Sequence, residues 1–374
     1  MDFALDEDQV TLQSVLREFL TDRSPEAAVR AQLEDTAGYD RDLWDLMAGQ
    51  LGVCGMAIPE EYGGAGFSFL ELGLVLEELG RSLTVSPFFA SCVMAAQLLL
   101  AVDDESARKD YLPGIAAGSL IASVALAEDS GSWRPEDVTT RAEERDGAWR
   151  LTGHKSYVLD GAVADLLLVI ARTDDGPAVF AVDTTSDGAG GLAREPLPTM
   201  DQTRKQARVT FDAAPARLLG TVAGAGEAIA TMLDRSAIAL AADALGGTGK
   251  VLEMSVEYAK IREQFGRPIG SFQAIKHKCA SMLVDLESSR SAVYYALWAV
   301  SAGEPDERTV APLVKAYCVD TYLHAAGENI QIHGGIGFTW EHPAHLYLKR
   351  AKSSQVLLGD SDFHRQQLAD RIGI

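Results

Sequence analysis

The sequence predicts a mainly helical α+β protein, with a β-rich middle between two helical ends. Three observations predict this class: apolar residues recur at helical spacing up to about residue 118, short β-branched runs follow over 119–222, and long Ala/Leu-rich segments return after Gly226. A chain of 374 residues is long enough for several domains. We therefore expect an N-terminal helical domain over 1–118, a middle β domain over 119–222 and a C-terminal helical bundle over 223–374.

The N-terminal part carries two apolar stripes at three- to four-residue spacing, the second running from Leu70 to Leu83. The connector PEEYGGAGFS separates them, because proline fixes one backbone angle and glycine permits positive φ. In the middle part, short runs such as AVFAVDT and ARVTFDA are typical of antiparallel strands in a compact sheet or barrel. The final segments, 227–264, 272–302 and 307–330, have the length and apolar stripes of antiparallel bundle helices.

Composition excludes several classes of partner. Acidic residues outnumber basic ones 54 to 33, and the net charge of −21 disfavours binding to nucleic acid or to an anionic membrane. No apolar run is long enough for membrane insertion, and the N-terminus lacks the pattern of a signal peptide. The four cysteines form no CxxC pair, so the expected location is the cytoplasm.

Four stretches resemble the acyl-CoA dehydrogenase family, in the family's order and spacing. They are PEEYGGAGFSFLELGLVLEELGRSL (59–83), WRLTGHKSYVLDGAVADLLLVIART (149–173), YAKIREQFGRPIGSFQAIKHKCA (258–280) and QIHGGIGFTWEHPAHLYLKRAK (331–352). The resemblance implies an N-terminal helical domain, a middle β domain and a C-terminal four-helix bundle. It also implies FAD between the last two domains, with its ADP portion reaching across a subunit interface. In the family, a glutamate removes the α-proton of an acyl-CoA thioester while the β-hydride passes to the flavin.

The position of that glutamate is the first departure from the family. The family's terminal motif is commonly Tyr-Glu-Gly-Thr-Ser-Glu-Ile-Gln-Arg. Aligned on Gly359 and Arg365, the stretch LLGDSDFHR places Leu358 at the base. Removing a thioester α-proton needs a positioned carboxylate and hydrogen bonds to the developing enolate. A leucine cannot act as this base, so we predict no catalytic residue at this position.

Two acids remain as fallback bases. Some family members take their base from an acid before an arginine at the start of the first long C-terminal helix. That position falls near Ser236, and Asp234 precedes Arg235 two residues earlier. Asp234 is the first fallback and Asp360 the second. The alternative is structural: Asp234 as a solvated acid near a helix start, and Asp360 with Asp362 as the N-cap and first-turn acid of the last helix.

The middle part departs from the family in two further places. The family's Thr-Glu-Pro-Gly-Ala-Gly-Ser-Asp is replaced by AEDSGSW, from Ala127 to Trp133, which lacks the proline and most of the glycine-rich turn. The family's Trp-Ile-Thr, whose threonine hydroxyl bonds the flavin, is replaced by Tyr157-Val158-Leu159. The resemblance therefore implies that polar contacts to the flavin ring are lost.

A second set of positions is retained, and we call it the ADP arm. In the family these positions hold the ADP part of the neighbouring subunit's FAD. An arginine fork suits a pyrophosphate, and glycines allow close backbone approach. An alternative is that Phe265 and Gln273 only pack helices. The set consists of Arg262, Phe265, Gln273, Gln331, Gly334 and Gly335.

Three histidines near the last of these stretches receive structural interpretations. His342 and His345 are three residues apart, but Pro343 lies between them and no cysteine or acid completes a ligand set, so we predict no metal. His333 is interpreted as a packing residue near an interface.

Three functional hypotheses follow. The leading one is a non-catalytic, FAD-sharing subunit of a heteromeric (α2β2) acyl-CoA dehydrogenase, which resembles the base-lacking subunits of actinobacterial enzymes. A partner subunit would supply the glutamate base and bind most of the acyl-CoA, with a steroid side chain as one candidate acyl group and electron-transfer flavoprotein as one candidate acceptor. The second is a self-sufficient dehydrogenase with a relocated base. The third is a flavin-free protein that binds CoA esters.

Overall fold

The computed structural model describes residues 5–35, 38–185 and 190–374. These residues form two compact units. A helical unit consists of Ala237–Ile374, Phe69–Thr84 and the described residues up to Arg30. A β-containing unit consists of the described residues of Ala31–Ser68 and Val85–Ser236.

The N-terminal part is helical, as predicted. Its helices are α1 Glu7–Arg23, α2 Glu26–Leu33, α3 Arg41–Gly49, α4 Phe69–Ser82, α5 Ala96–Ala101 and α6 Glu105–Ala116. The first helix begins with a capping box, in which the Asp6 side chain accepts from Gln9 N and the Gln9 side chain accepts from Asp6 N. The predicted stripe from Leu70 to Leu83 lies mostly in α4, and its apolar residues from Leu72 onward are buried.

The middle part forms a sheet that closes on itself. Its strands are β1 Ala122–Ala125, β2 Arg141–Arg145, β3 Ala148–Leu159, β4 Leu166–Thr173, β5 Gly176–Asp183, β6 Leu192–Pro196 and β7 Gln206–Leu219. The closed order is β4, β2, β3, β7, β5 and back to β4. Most pairs are antiparallel, as predicted, but β1 and a single residue pair of β2 run parallel to β4. β4 is buried on both faces and therefore shows no polar alternation.

The C-terminal part is again helical. Its elements are α7 Val222–Ile261, β8 Glu263–Gln264, β9 Arg267–Pro268, α8 Gln273–Ala302, α9 Glu307–His333, α10 Ala344–Val356 and α11 Ser361–Ile372. α9 packs against α8, α10 and α11. α7 begins at Val222, so Gly224 and Gly226 lie inside its first turns and do not mark the boundary that was predicted at Gly226. No helix of the described ranges has the length and apolarity to cross a membrane.

Candidate functional site

Leu358 lies in the tight turn between α10 and α11, with its side chain buried at 2% exposure. Its φ of 63° places a non-glycine residue in the left-handed region, where an L-residue is strained. Main-chain oxygens on either side anchor the turn. His364 Nε2 lies 3.0 Å from Leu358 O, and Lys315 Nζ donates to Gln355 O at 2.9 Å and to Gly359 O.

The electrostatics of this turn favour a neutral His364. Its imidazole is 4% exposed, and burial together with the nearby Lys315 cation lowers the pKa of His364 to about 3. Because a carbonyl oxygen only accepts, Nε2 carries the proton and donates to Leu358 O. Lys315 is fully buried, so this cation acts in a region from which water is excluded.

The predicted N-cap at Asp360 is confirmed. Its Oδ1 accepts from Phe363 N at 2.8 Å, which satisfies a free amide at the start of α11. Asp362 lies in the first turn, highly exposed, and pairs with Arg365 at 2.8 Å. Both acids therefore have structural roles in the helix that follows Leu358.

The structural interpretation of Asp234 is wrong. Asp234 is neither solvated nor near a helix start: it is 5% exposed and lies in the fourth turn of α7, because the helix begins earlier than predicted. Its neighbour Arg235 donates from Nη1 to Gln97 Oε1 at 3.0 Å. Asp234 as a fallback base stays a prediction.

The segment Tyr157-Val158-Leu159 ends β3 beyond an irregularity in the pairing with β7, between Lys155 and Val158. Tyr157 has a φ of 60° and is 41% exposed, whereas Val158 and Leu159 are buried. The main chain of Leu159 is fixed, since Ser123 Oγ donates to Leu159 O at 2.5 Å. The position that would hold the threonine hydroxyl is thus a buried apolar side chain.

A buried ion pair that the sequence interpretation missed fixes the replaced segment AEDSGSW. Lys155 Nζ, fully buried, donates to Glu128 Oε1 at 2.9 Å and to Leu126 O at 2.9 Å. Glu128 also accepts from both the amide and the hydroxyl of Thr139 and of Thr140. Burial alone would raise the pKa of Glu128, but these donors lower it to about 2, and burial lowers the pKa of Lys155 to about 8.

The alternation of β3 could have revealed this pair. Lysine at an inward-facing strand position needs a buried acid or carbonyl as a partner.

Asp129, the residue after Glu128, forms a second and exposed network. Its carboxylate accepts from Arg208 at 2.9 Å and from Ser156 at 2.6 Å, and it lies 3.0 Å from His154 Nε2. These bonds lower the pKa of Asp129, Ser156 and Arg208 being the main causes.

The ADP-arm residues all belong to the helical unit, and all are exposed. Arg262 follows α7 directly, and Gln273 is the first residue of α8. Between them, β8 and β9 form a two-residue hairpin whose turn is Phe265-Gly266. Both turn residues have positive φ, 55° and 77°, as a type I′ turn requires. The Phe265 ring is 92% exposed.

The glycines after α9 differ in what they require. A Cβ on Gly337 would lie 2.9 Å from His333 Cβ and 3.0 Å from Ile330 O, so packing within the chain demands glycine there. Gly334 has a φ of 61°, which favours glycine. Gly335 lacks a positive φ, and a Cβ at this position would meet no atom within 4 Å. Nothing inside the described part of this chain therefore requires glycine at 335.

Aromatic rings stack beside this loop. The Tyr258 and His333 rings lie 4.3 Å apart at 27°, and His333 and His342 lie 4.3 Å apart at 42°. His345 contacts Trp340 edge-on at 4.6 Å. No group of three potential metal ligands occurs in the described ranges. His333 thus packs as predicted, in a ring stack.

Three sequence models match the chain in order: acyl-CoA dehydrogenase N-terminal domain over 6–119, middle domain over 123–214 and C-terminal domain over 224–373. The chain belongs to the acyl-CoA dehydrogenase family. It is 35% identical to acyl-CoA dehydrogenase IpdE2 of Mycolicibacterium smegmatis over 336 residues, 90% of this chain and 89% of that one.

Two solved structures extend the likeness. A variant of the Tcur3481-Tcur3483 steroid ACAD superposes with a TM-score of 0.89 at 33% identity, covering 98% of each chain. The ChsE4-ChsE5 complex from Mycobacterium tuberculosis gives a TM-score of 0.89 at 28% identity, covering 100% of this chain and 99% of that chain. Acyl-CoA dehydrogenases are FAD-dependent, and each of these two assemblies is named after two components.

The residues present fit one part of FAD better than the other. An exposed guanidinium at Arg262 and a glycine at 335 without an internal reason suit a pyrophosphate approaching from outside. At the two positions for which the resemblance implies contacts to the flavin ring or the substrate, the chain has buried Leu358 and Leu159. Neither leucine can donate a hydrogen bond or accept a proton from its side chain.

Proposed function

We propose that this chain is a non-catalytic, FAD-sharing subunit of a heteromeric acyl-CoA dehydrogenase. The observation that carries the proposal is Leu358: an apolar side chain, 2% exposed, at the position of the α-proton base. The reaction of the assembly is the α,β-dehydrogenation of a CoA thioester. The partner subunit supplies the carboxylate base and the contacts to the flavin ring.

The role of this chain is to hold the ADP part of the partner's FAD with the ADP arm. Phe265 supports this role, because a phenylalanine at positive φ and 92% exposure is strained and gains little within its own chain beyond an edge contact with Phe272 at 6.1 Å. Gly335 supports it as well, since an external group would explain the missing side chain.

The substrate is proposed to be a CoA ester with a steroid-derived acyl group. Support comes from the similarity to the Tcur3481-Tcur3483 steroid ACAD, whose name gives both the substrate class and the two components. Electron-transfer flavoprotein is the proposed electron acceptor of the assembly. The chain is proposed to occupy one of the two unlike positions in an α2β2 complex.

The test is to purify the chain alone and together with a candidate partner of similar length that carries the glutamate. We expect a colourless, inactive protein alone, and a complex with one FAD per pair of unlike chains that dehydrogenates steroid CoA esters. Stoichiometric FAD and dehydrogenation by this chain alone would overturn the proposal. If that activity disappeared in Asp234→Asn but not in Asp360→Asn, the chain would be a self-sufficient enzyme with a relocated base.

Matched variants test the ADP arm within the complex. Arg262→Ala should release FAD without changing the subunit composition of the complex, whereas Lys260→Ala, a variant of an exposed cation on the preceding helix, should retain FAD. Gly335→Ala should leave the unfolding of the chain unchanged, because its methyl meets no atom within 4 Å, yet lower the FAD content. Full FAD retention in both Arg262→Ala and Gly335→Ala would contradict the arm's role. Colourless complexes that bind acyl-CoA would instead favour a flavin-free binding protein.

A further inference from the structure

The stacked rings of Tyr258, His333 and His342 join segments that are distant in sequence. Tyr258 lies in the last turn of α7, and its carbonyl accepts from Arg262 N at 2.9 Å. His333 ends α9, between Gln331 and Gly334. His342 lies in the loop before α10, and its Nδ1 accepts from Ala344 N at 3.2 Å.

Further contacts fix the His333 ring, which lies between the other two, and the hairpin β8–β9 that follows α7. His333 Nδ1 lies 2.8 Å from Asn329 O, so this nitrogen carries the proton and donates. A Cβ on Gly337 would lie 2.9 Å from His333 Cβ, so the loop after α9 packs closely against the end of the helix that carries this ring. On the other side, Arg262 O accepts from Ile269 N at 2.8 Å, which ties the hairpin of Phe265 to the end of α7.

We propose that the Tyr258–His333–His342 stack is a positioning device that holds the two halves of the ADP arm in register. One half follows α7 and carries Arg262, Phe265 and, at the start of α8, Gln273. The other half lies at the end of α9 and carries Gln331, Gly334 and Gly335. The inference rests on the proposed function, because the arm acts only on the partner's FAD. His333 and His342 are positioning residues and touch no reacting atom.

Ring packing is suited to holding the two halves of the ADP arm at a fixed separation. In the proposed function both halves contact one FAD, and two exposed loops alone would not hold them at a fixed separation. The two ring contacts, one stacked at 4.3 Å and 27° and the other tilted at 4.3 Å and 42°, link the position of one segment to that of the next. His342 is the ring most open to substitution, since it lies in a loop and not in a helix.

The test uses three variants of the complex and one measurement on the full chain alone. His342→Ala removes the outer ring and should weaken FAD affinity about two- to tenfold, as the loss of one aromatic contact implies. His342→Phe keeps the ring and should bind FAD close to wild type. His324→Ala, an exposed histidine of α9 away from the stack, should have no effect. The mass of the complex should stay constant in all three.

Wild-type FAD affinity in His342→Ala, or equal weakening in His342→Phe, would overturn the inference. Hydrogen–deuterium exchange of the chain alone separates this result from failure of the proposed function. In His342→Ala, exchange should rise in both 258–272 and 330–343, even if no partner delivers FAD. A rise confined to the segment around residue 342 would show that the stack does not couple the two halves.

Discussion

His364 should make the turn at Leu358 sensitive to acid. The pKa of His364 is 6.5 in an unfolded chain and about 3 in the fold, because burial and the Lys315 cation disfavour its charged form. Between these values the unfolded chain binds a proton that the native chain does not, so stability is complete above pH 6.5 and falls as the pH decreases toward 3. One pH unit is worth up to about 1.4 kcal/mol, so acidification to pH 5 should cost about 2 kcal/mol through this residue.

The variant His364→Gln isolates this contribution. A glutamine amide can still donate to Leu358 O, but it does not titrate. We expect the loss of stability between pH 8 and pH 5, from urea unfolding followed by circular dichroism, to be about 2 kcal/mol smaller in His364→Gln than in wild type. His324→Gln, at an exposed position of α9, should behave as wild type. Parallel losses in wild type and His364→Gln would refute the assignment of a buried neutral imidazole.

Three further perturbations have expected outcomes. Lys155→Met should lower the free energy of unfolding, measured in urea, by about 3–5 kcal/mol, because it leaves the Glu128 carboxylate buried without its cation. Adding Glu128→Gln should recover part of that loss. Equal stability of Lys155→Met and wild type would contradict the buried pair. Asp360→Ala should lower the free energy of unfolding by about 1 kcal/mol through loss of the N-cap. Asp362→Ala, at an exposed position, should change it by less than about 0.5 kcal/mol. A larger loss of stability in Asp362→Ala than in Asp360→Ala would count against the cap. The variant Leu358→Glu, assayed without a partner, should form no enoyl-CoA product, because the family's threonine hydroxyl that bonds the flavin ring is also missing. Product from this single change would show that the glutamate is the only catalytic group that the chain lacks.

Sequence patterns were informative where function depends on residue type at fixed spacing. The motif around Leu358 predicts a missing base, and the acids that follow predict an N-cap, because both follow from a few consecutive residues. The β-rich middle was also predictable from short β-branched runs. Its parallel contact between β1 and β4 was not, since pairing depends on how distant strands meet.

Other features escape prediction because they depend on tertiary contacts. The interpretation of Asp234 as solvated fails because tertiary packing buries its side chain, and its placement near a helix start fails because Gly224 and Gly226 lie inside α7. Glu128 and Lys155 meet across 27 residues, and the Tyr258–His333 stack joins two helices across 75 positions of sequence. The spacing of residues within one segment does not indicate which distant segments pack together.

The turn between α10 and α11 owes its shape to main-chain oxygens. His364 and Lys315 bind the carbonyls of Gln355, Leu358 and Gly359, and none of these bonds involves the side chain of residue 358. These hydrogen bonds therefore do not depend on which side chain residue 358 carries. A turn held in this way is compatible with the proposed pairing of unlike chains, because exchange of the side chain at residue 358 would remove a base and leave these main-chain hydrogen bonds in place.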